Sequence, residues 1–62
     1  MNTKGKIWTL LSEIRTVSEL VNKYKDYMYL LSDKEALENM PEDKANNLLK
    51  NLEKDYNDYF KI

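Results

Sequence analysis

Apolar residues recur at helical spacing along nearly the whole of this 62-residue chain. Ile7, Leu10, Leu11 and Ile14 stand at i, i+3, i+4 and i+7. Val17, Leu20, Val21, Tyr24, Tyr27, Met28 and Leu31 carry the same rhythm, and Ala45, Leu48, Leu49, Leu52, Tyr56 and Tyr59 repeat it. Such a stripe is the buried face of an amphipathic helix. No stretch alternates with period two over the length of a strand. A single glycine and a single proline exclude collagen, glycine-rich phosphate loops and turn-dense β-sandwiches.

The expected fold is all-α: one domain, residues 1–62, built as a small bundle of three to four helices near 4–14, 17–31, 33–39 and 41–60. Local signals set these boundaries. Thr16-Val17-Ser18-Glu19 and Ser32-Asp33-Lys34-Glu35 each read as a capping box. In that motif a hydroxyl accepts from the third helical N–H while the glutamate reaches back to the cap. Pro41 suits the first position of a helix, and Glu42 and Asp43 follow where the helix dipole favours acids.

A competing architecture fits the same residues. Ile7, Leu10, Ile14, Val17, Val21, Tyr24, Met28 and Leu31 keep an unbroken a/d heptad, with no glycine or proline between Lys6 and Ser32. Residues 5–31 can therefore be drawn as one long helix, paired in a hairpin with 41–60 and dimerised into a bundle. The capping box at Thr16 argues for the break; the heptad argues against it.

A chain this short buries only about 60% of its unfolded surface and has little material for a cleft. It has no cysteine and no histidine, hence no disulfide, thiolate metal site, cysteine nucleophile or imidazole base. Asp33, Glu35, Glu38, Glu42 and Asp43 cluster in sequence, but paired catalytic carboxylates need a desolvating cleft. They lack the alternation and central glycine of a calcium loop. The expectation is a protein without catalysis, cofactor, metal or small-molecule substrate.

The net charge of −1 is not that of a polyanion binder. Residues 1–31 carry five basic and three acidic groups; residues 32–62 carry five basic and eight acidic. The acidic half suits a basic partner. No run free of charges reaches the ~20 residues that span a bilayer, and no signal peptide is read at the N-terminus. The expected location is cytoplasmic. The wealth of Lys, Asn, Tyr and Ile fits A/T-rich codons, as in a low-GC bacterium, a plasmid or a phage.

Trp8, Tyr24, Tyr27, Tyr29, Tyr56, Tyr59 and Phe60 are many aromatics for so small a chain. Tyr24, Tyr27, Tyr56 and Tyr59 fit the core stripe. Tyr29 falls on the flank of helix 17–31, where an aromatic serves an interface well. Lys23-Tyr24-Lys25-Asp26-Tyr27 mixes basic and aromatic residues as nucleic-acid binders do. Asp26 and the low charge speak against direct sequence reading, so DNA enters only indirectly.

The order Thr3-Lys4, Leu11, Thr16, Leu20, Tyr29, Leu31-Ser32-Asp33 and Glu35 resembles the Hha/YmoA family of small enterobacterial nucleoid-associated regulators. Residues 31–40 look like the family's junction between its second and third helices. The similarity runs without gaps from about Thr3 to Met40 and fades beyond. The family's Ala-Asp-His-Arg segment falls near Glu42-Asp43-Lys44-Ala45, where only Asp43 matches. Most of its N-terminal arginines are absent; Leu10, Ser12 and Glu13 occupy that region. The resemblance implies an all-helical monomer that binds the N-terminal dimerisation domain of an H-NS-type silencer and modulates transcription. It places Asp43 in that interface, against arginines.

The expected function is thus that of a non-enzymatic protein-binding regulator, with Asp43, Asp33, Glu35 and Tyr29 as candidate partner-binding residues. The alternative is a plasmid- or phage-encoded helical inhibitor or adaptor that self-associates as a homodimer and occludes a host protein.

Overall fold

The computed structural model of the chain describes residues 2–60, and among them all regular structure is helical. Helix α1 spans Thr3–Ile14, α2 spans Ser18–Lys23, a 3-10 helix spans Lys25–Leu31, α3 spans Lys34–Glu38 and α4 spans Glu42–Phe60. The all-α bundle expected from the apolar stripe is what forms. At about 1.5 Å per residue the 19 residues of α4 are roughly 28 Å long. That accounts for the longest dimension of the molecule, 30 Å.

The core forms where α1 lies against α4. Ile7, Leu11 and Ile14 come from one face of α1, and Ala45, Leu48 and Leu52 from one face of α4. Val17, Leu20, Tyr24, Leu30 and Leu37 complete a single buried cluster. Among the described residues no buried side-chain nitrogen or oxygen lacks a hydrogen-bond partner.

The continuous helix over 5–31 does not form. The chain breaks at Arg15–Val17, where Val17 is extended (φ −111°, ψ 108°) and its N–H bonds Ile14 O at 2.9 Å. The reason is coverage. An unbroken helix of that length would run roughly 40 Å and leave much of its stripe in water. Turning at Val17 folds the second half of the stripe back onto the first, so that one chain closes its own core.

Both capping boxes are displaced. The cap position of α2 is Val17, with no side-chain hydrogen bond; the Thr16 hydroxyl points back and donates to Glu13 O, 3.2 Å away. At α3 the cap is Asp33, whose carboxylate accepts from Ala36 N–H at 3.0 Å, while Ser32 Oγ donates to Tyr29 O. In each case the preceding segment closes one residue later than the box requires, and the hydroxyl serves that closure instead. An unforeseen cap starts α1, where Asn2 Oδ1 accepts from Gly5 N–H at 2.7 Å. Thr16→Ala should accordingly cost under about 0.5 kcal/mol in urea unfolding, as befits an exposed residue rather than a lost N-cap.

The helix expected over 17–31 also divides. After Tyr24 (φ −109°, ψ 21°) the backbone tightens into 3-10 geometry, opened by Tyr27 N–H bonding Tyr24 O at 2.9 Å. Three residues per turn keep i, i+3 and i+6 on one face. Leu30, absent from the α-helical stripe, thereby joins Tyr24 in the buried cluster and is fully covered, while Leu31 is only partly covered. Two tyrosines assigned to the core are exposed instead: Tyr27 by 40% and Tyr59 by 49%. Tyr27 stays near the rim with its ring 6.3 Å from that of Tyr24. Tyr59 lies near the end of α4, beyond the last fully buried contact at Leu52, and meets Phe60 edge-on.

Candidate partner-binding surface

Four residues were expected to meet a partner, and the fold does not gather them at one site. Asp33 and Glu35 sit at the start of α3, and Asp43 in the first turn of α4; all three are exposed. Asp33 is already occupied in capping α3. Asp43 makes no hydrogen bond or ion pair with the described residues, so its carboxylate is available to another molecule. No hydrogen bond or ion pair joins these three carboxylates to one another.

Tyr29, exposed by 53%, lies elsewhere. It lines an open groove of about 390 Å³ together with Tyr24, Tyr27, Met40, Pro41 and Lys44. Pro41 begins the approach to α4, and the tight 3-10 turn sets the tyrosines side by side. None of the three candidate carboxylates lines this groove.

Beside the groove is a polar tie that the sequence reading missed. Tyr24, buried on the 3-10 side, donates its hydroxyl to Asp55 Oδ2 on α4, and Lys23 Nζ pairs with the same oxygen at 2.8 Å. The Lys23 hydrogen bond, followed by that of Tyr24, holds the Asp55 carboxyl below its ordinary range. Burial first, then the bond to Asp55, raises the Tyr24 phenol above its ordinary value of 10.0. A carboxylate held ionised and a phenol held protonated form a clasp between the middle of the chain and α4. Nearby, a hydrogen bond with Glu13 raises Tyr56, linking the end of α1 to α4. A separation of 31 residues hides the Tyr24–Asp55 contact from any local pattern.

Tyr24→Phe should lower stability at pH 7 by about 1–2 kcal/mol, since a bond to a charged acceptor is lost at a partly exposed site. The pH dependence has two signs. Asp55 is depressed, so its contribution is present above the unfolded carboxyl value of about 4 and disappears as pH falls through the folded one. Tyr24 is raised, so its contribution is present below about pH 10 and disappears as pH rises through the folded value. Urea midpoints measured from pH 2 to pH 11 should therefore show the gap between wild type and Tyr24→Phe narrowing at both ends, below about pH 4 as Asp55 takes up its proton and above about pH 10.

Among the described residues no three acidic, histidine or cysteine side chains are placed to hold a metal ion. Nor is any helix among the described residues long and apolar enough to cross a membrane. The fold and surface define a small all-α bundle whose notable external features are carboxylates at two helix starts and shallow aromatic grooves. Comparison with protein-family models, with curated proteins and with solved structures finds no match to this chain.

Proposed function

We propose that this protein is a non-enzymatic regulator that acts by binding another protein, as a Hha-like co-regulator of an H-NS-type silencer. The observation that carries the reading is Asp43: an exposed carboxylate in the first turn of a long helix, without an intramolecular partner among the described residues. Arginines of a silencer's N-terminal domain offer paired donors to such a group. The order of segments adds support, because α2 and the 3-10 helix lead through Leu31-Ser32-Asp33 into α3 and then a long last helix. The acidic second half of the chain suits a basic partner surface. DNA is reached through the silencer rather than directly.

Titration calorimetry of the whole chain against a purified H-NS-type N-terminal domain tests the proposal. Binding that weakens as salt rises is the expected result. Absence of binding overturns the family reading and leaves the inhibitor or adaptor reading, in which the exposed aromatics Trp8, Tyr27 and Tyr29 meet a different host protein.

A further inference from the structure

A second groove, of about 600 Å³, opens between α1 and α3. Leu31 and Leu37 supply apolar lining, and Trp8 stands beside them, 43% exposed. The indole is not loose: its Nε1–H donates to Leu31 O at 3.3 Å, which fixes the ring where the 3-10 helix ends. Lys4 and Lys34 also line the groove, with Glu38 as the only acid there. Lys4 Nζ bonds the Glu38 backbone carbonyl, so this ammonium is held at the C-terminal end of α3 while the others of its protons remain free.

The sole glycine of the chain also lines this groove. Gly5 lies within α1, where glycine is a poor helix former and no turn requires it. A larger residue there would favour the helix but would project into the groove. The chain thus gives up helix propensity at the place where a side chain would narrow the opening.

We propose that the Trp8 groove is a docking site for an acidic amphipathic helix of another protein. A pre-positioned indole with leucines around it accepts apolar anchors, and the two ammonium groups are complementary to carboxylates flanking them. The walls are helices whose backbone is already hydrogen-bonded, so no edge is offered to an extended peptide. An occupant helix satisfies its own backbone and is recognised through side chains alone. Two lysines beside a glutamate are too few to neutralise the run of phosphates that nucleic-acid binding requires. This face carries positive charge, whereas the Asp43 surface is acidic, so the two can serve different partners.

Trp8 is the only tryptophan, and its emission reports on the groove directly. The probe is a synthetic helix of leucine and glutamate that lacks tryptophan, added to the full chain; the control is the same helix with lysine for glutamate. The glutamate helix should shift Trp8 emission to the blue in a saturable manner, and the lysine helix should not. Lys34→Glu, at an exposed position in the first turn of α3, should weaken binding about tenfold or more. Gly5→Leu should raise the melting temperature and abolish the shift, a combination that damage to the fold does not produce. The proposal is overturned by equal binding of both helices, by no response to either, or by undiminished binding in Gly5→Leu. It is likewise overturned if dodecanoate shifts the emission and the glutamate helix does not, or if sedimentation shows that the shift follows self-association of this chain.

Discussion

Leu30→Ala should bring this protein close to unfolding at 25 °C, whereas Leu31→Ala should leave it folded. Leu30 is fully buried in the common core; Leu31 is only partly covered. Removing a buried leucine side chain costs about 2–5 kcal/mol, because transfer energy is lost and the cavity closes only in part. A domain of this size has roughly 3–9 kcal/mol in all, so the loss is a large fraction of the total. Leu31→Ala gives up less buried area and should cost about 1 kcal/mol. Its carbonyl, which receives the Trp8 N–H, is retained. Urea midpoints of the two variants check the ordering. Had the chain continued as an α-helix past Tyr24, Leu31 would lie near the Tyr24 face and Leu30 about 240° away from it, so the ordering would be reversed. The experiment therefore reports on the 3-10 geometry as well as on packing.

Asp43→Asn should weaken binding to an H-NS-type N-terminal domain by more than about tenfold while leaving the melting temperature nearly unchanged. Truncating one member of a desolvated charge pair costs roughly 2–5 kcal/mol, much of it from the partner's charge left buried and alone. Among the described residues Asp43 makes no hydrogen bond or ion pair that such a change would undo, and the helix-dipole contribution at an exposed first turn is small, so nearly all of the loss falls on the complex. The amide is nearly the same size and keeps one acceptor, so a small effect would mean that charge is not what the partner reads. Asp33→Ala is a poor substitute for this experiment, because Asp33 caps α3 and its truncation would confound binding with helix stability. Calorimetry on wild type and Asp43→Asn at two salt concentrations separates the contributions: the gap between them should shrink at high salt.

Much of the fold is legible in the residues. The stripes through Ile7, Leu11 and Ile14, and through Ala45, Leu48 and Leu52, became the two faces that meet, because a 3.6-residue period places them together whatever their partner. Pro41 ended up one residue before α4, close to its expected place. Tyr29 proved exposed, as its flanking position required. The candidate carboxylates were legible as surface groups, yet their separation from the Tyr29 groove was not, since that depends on how α3 and α4 follow the 3-10 turn. The Trp8 groove was hidden for a similar reason: Lys4, Trp8, Leu31 and Lys34 are brought together only when the end of the 3-10 helix lies beside α1.

The amino-acid sequence by itself determined that this chain is helical, that it contains no thiol or imidazole chemistry, and which leucines and isoleucines seek burial. These follow from composition and from a period that each segment carries on its own. Tertiary structure alone decided where the long apolar stripe breaks, since the heptad and the capping box were locally compatible with opposite answers. It chose the break at Val17 because a single small chain covers more apolar surface by folding back than by extending. It also tightened Lys25–Leu31 into a 3-10 helix, exchanging Leu31 for Leu30 in the core. And it joined Tyr24 to Asp55 across 31 residues, a pairing that exists only once α4 has docked, because hydrogen bonds between distant side chains depend on position in space and not on spacing in the chain.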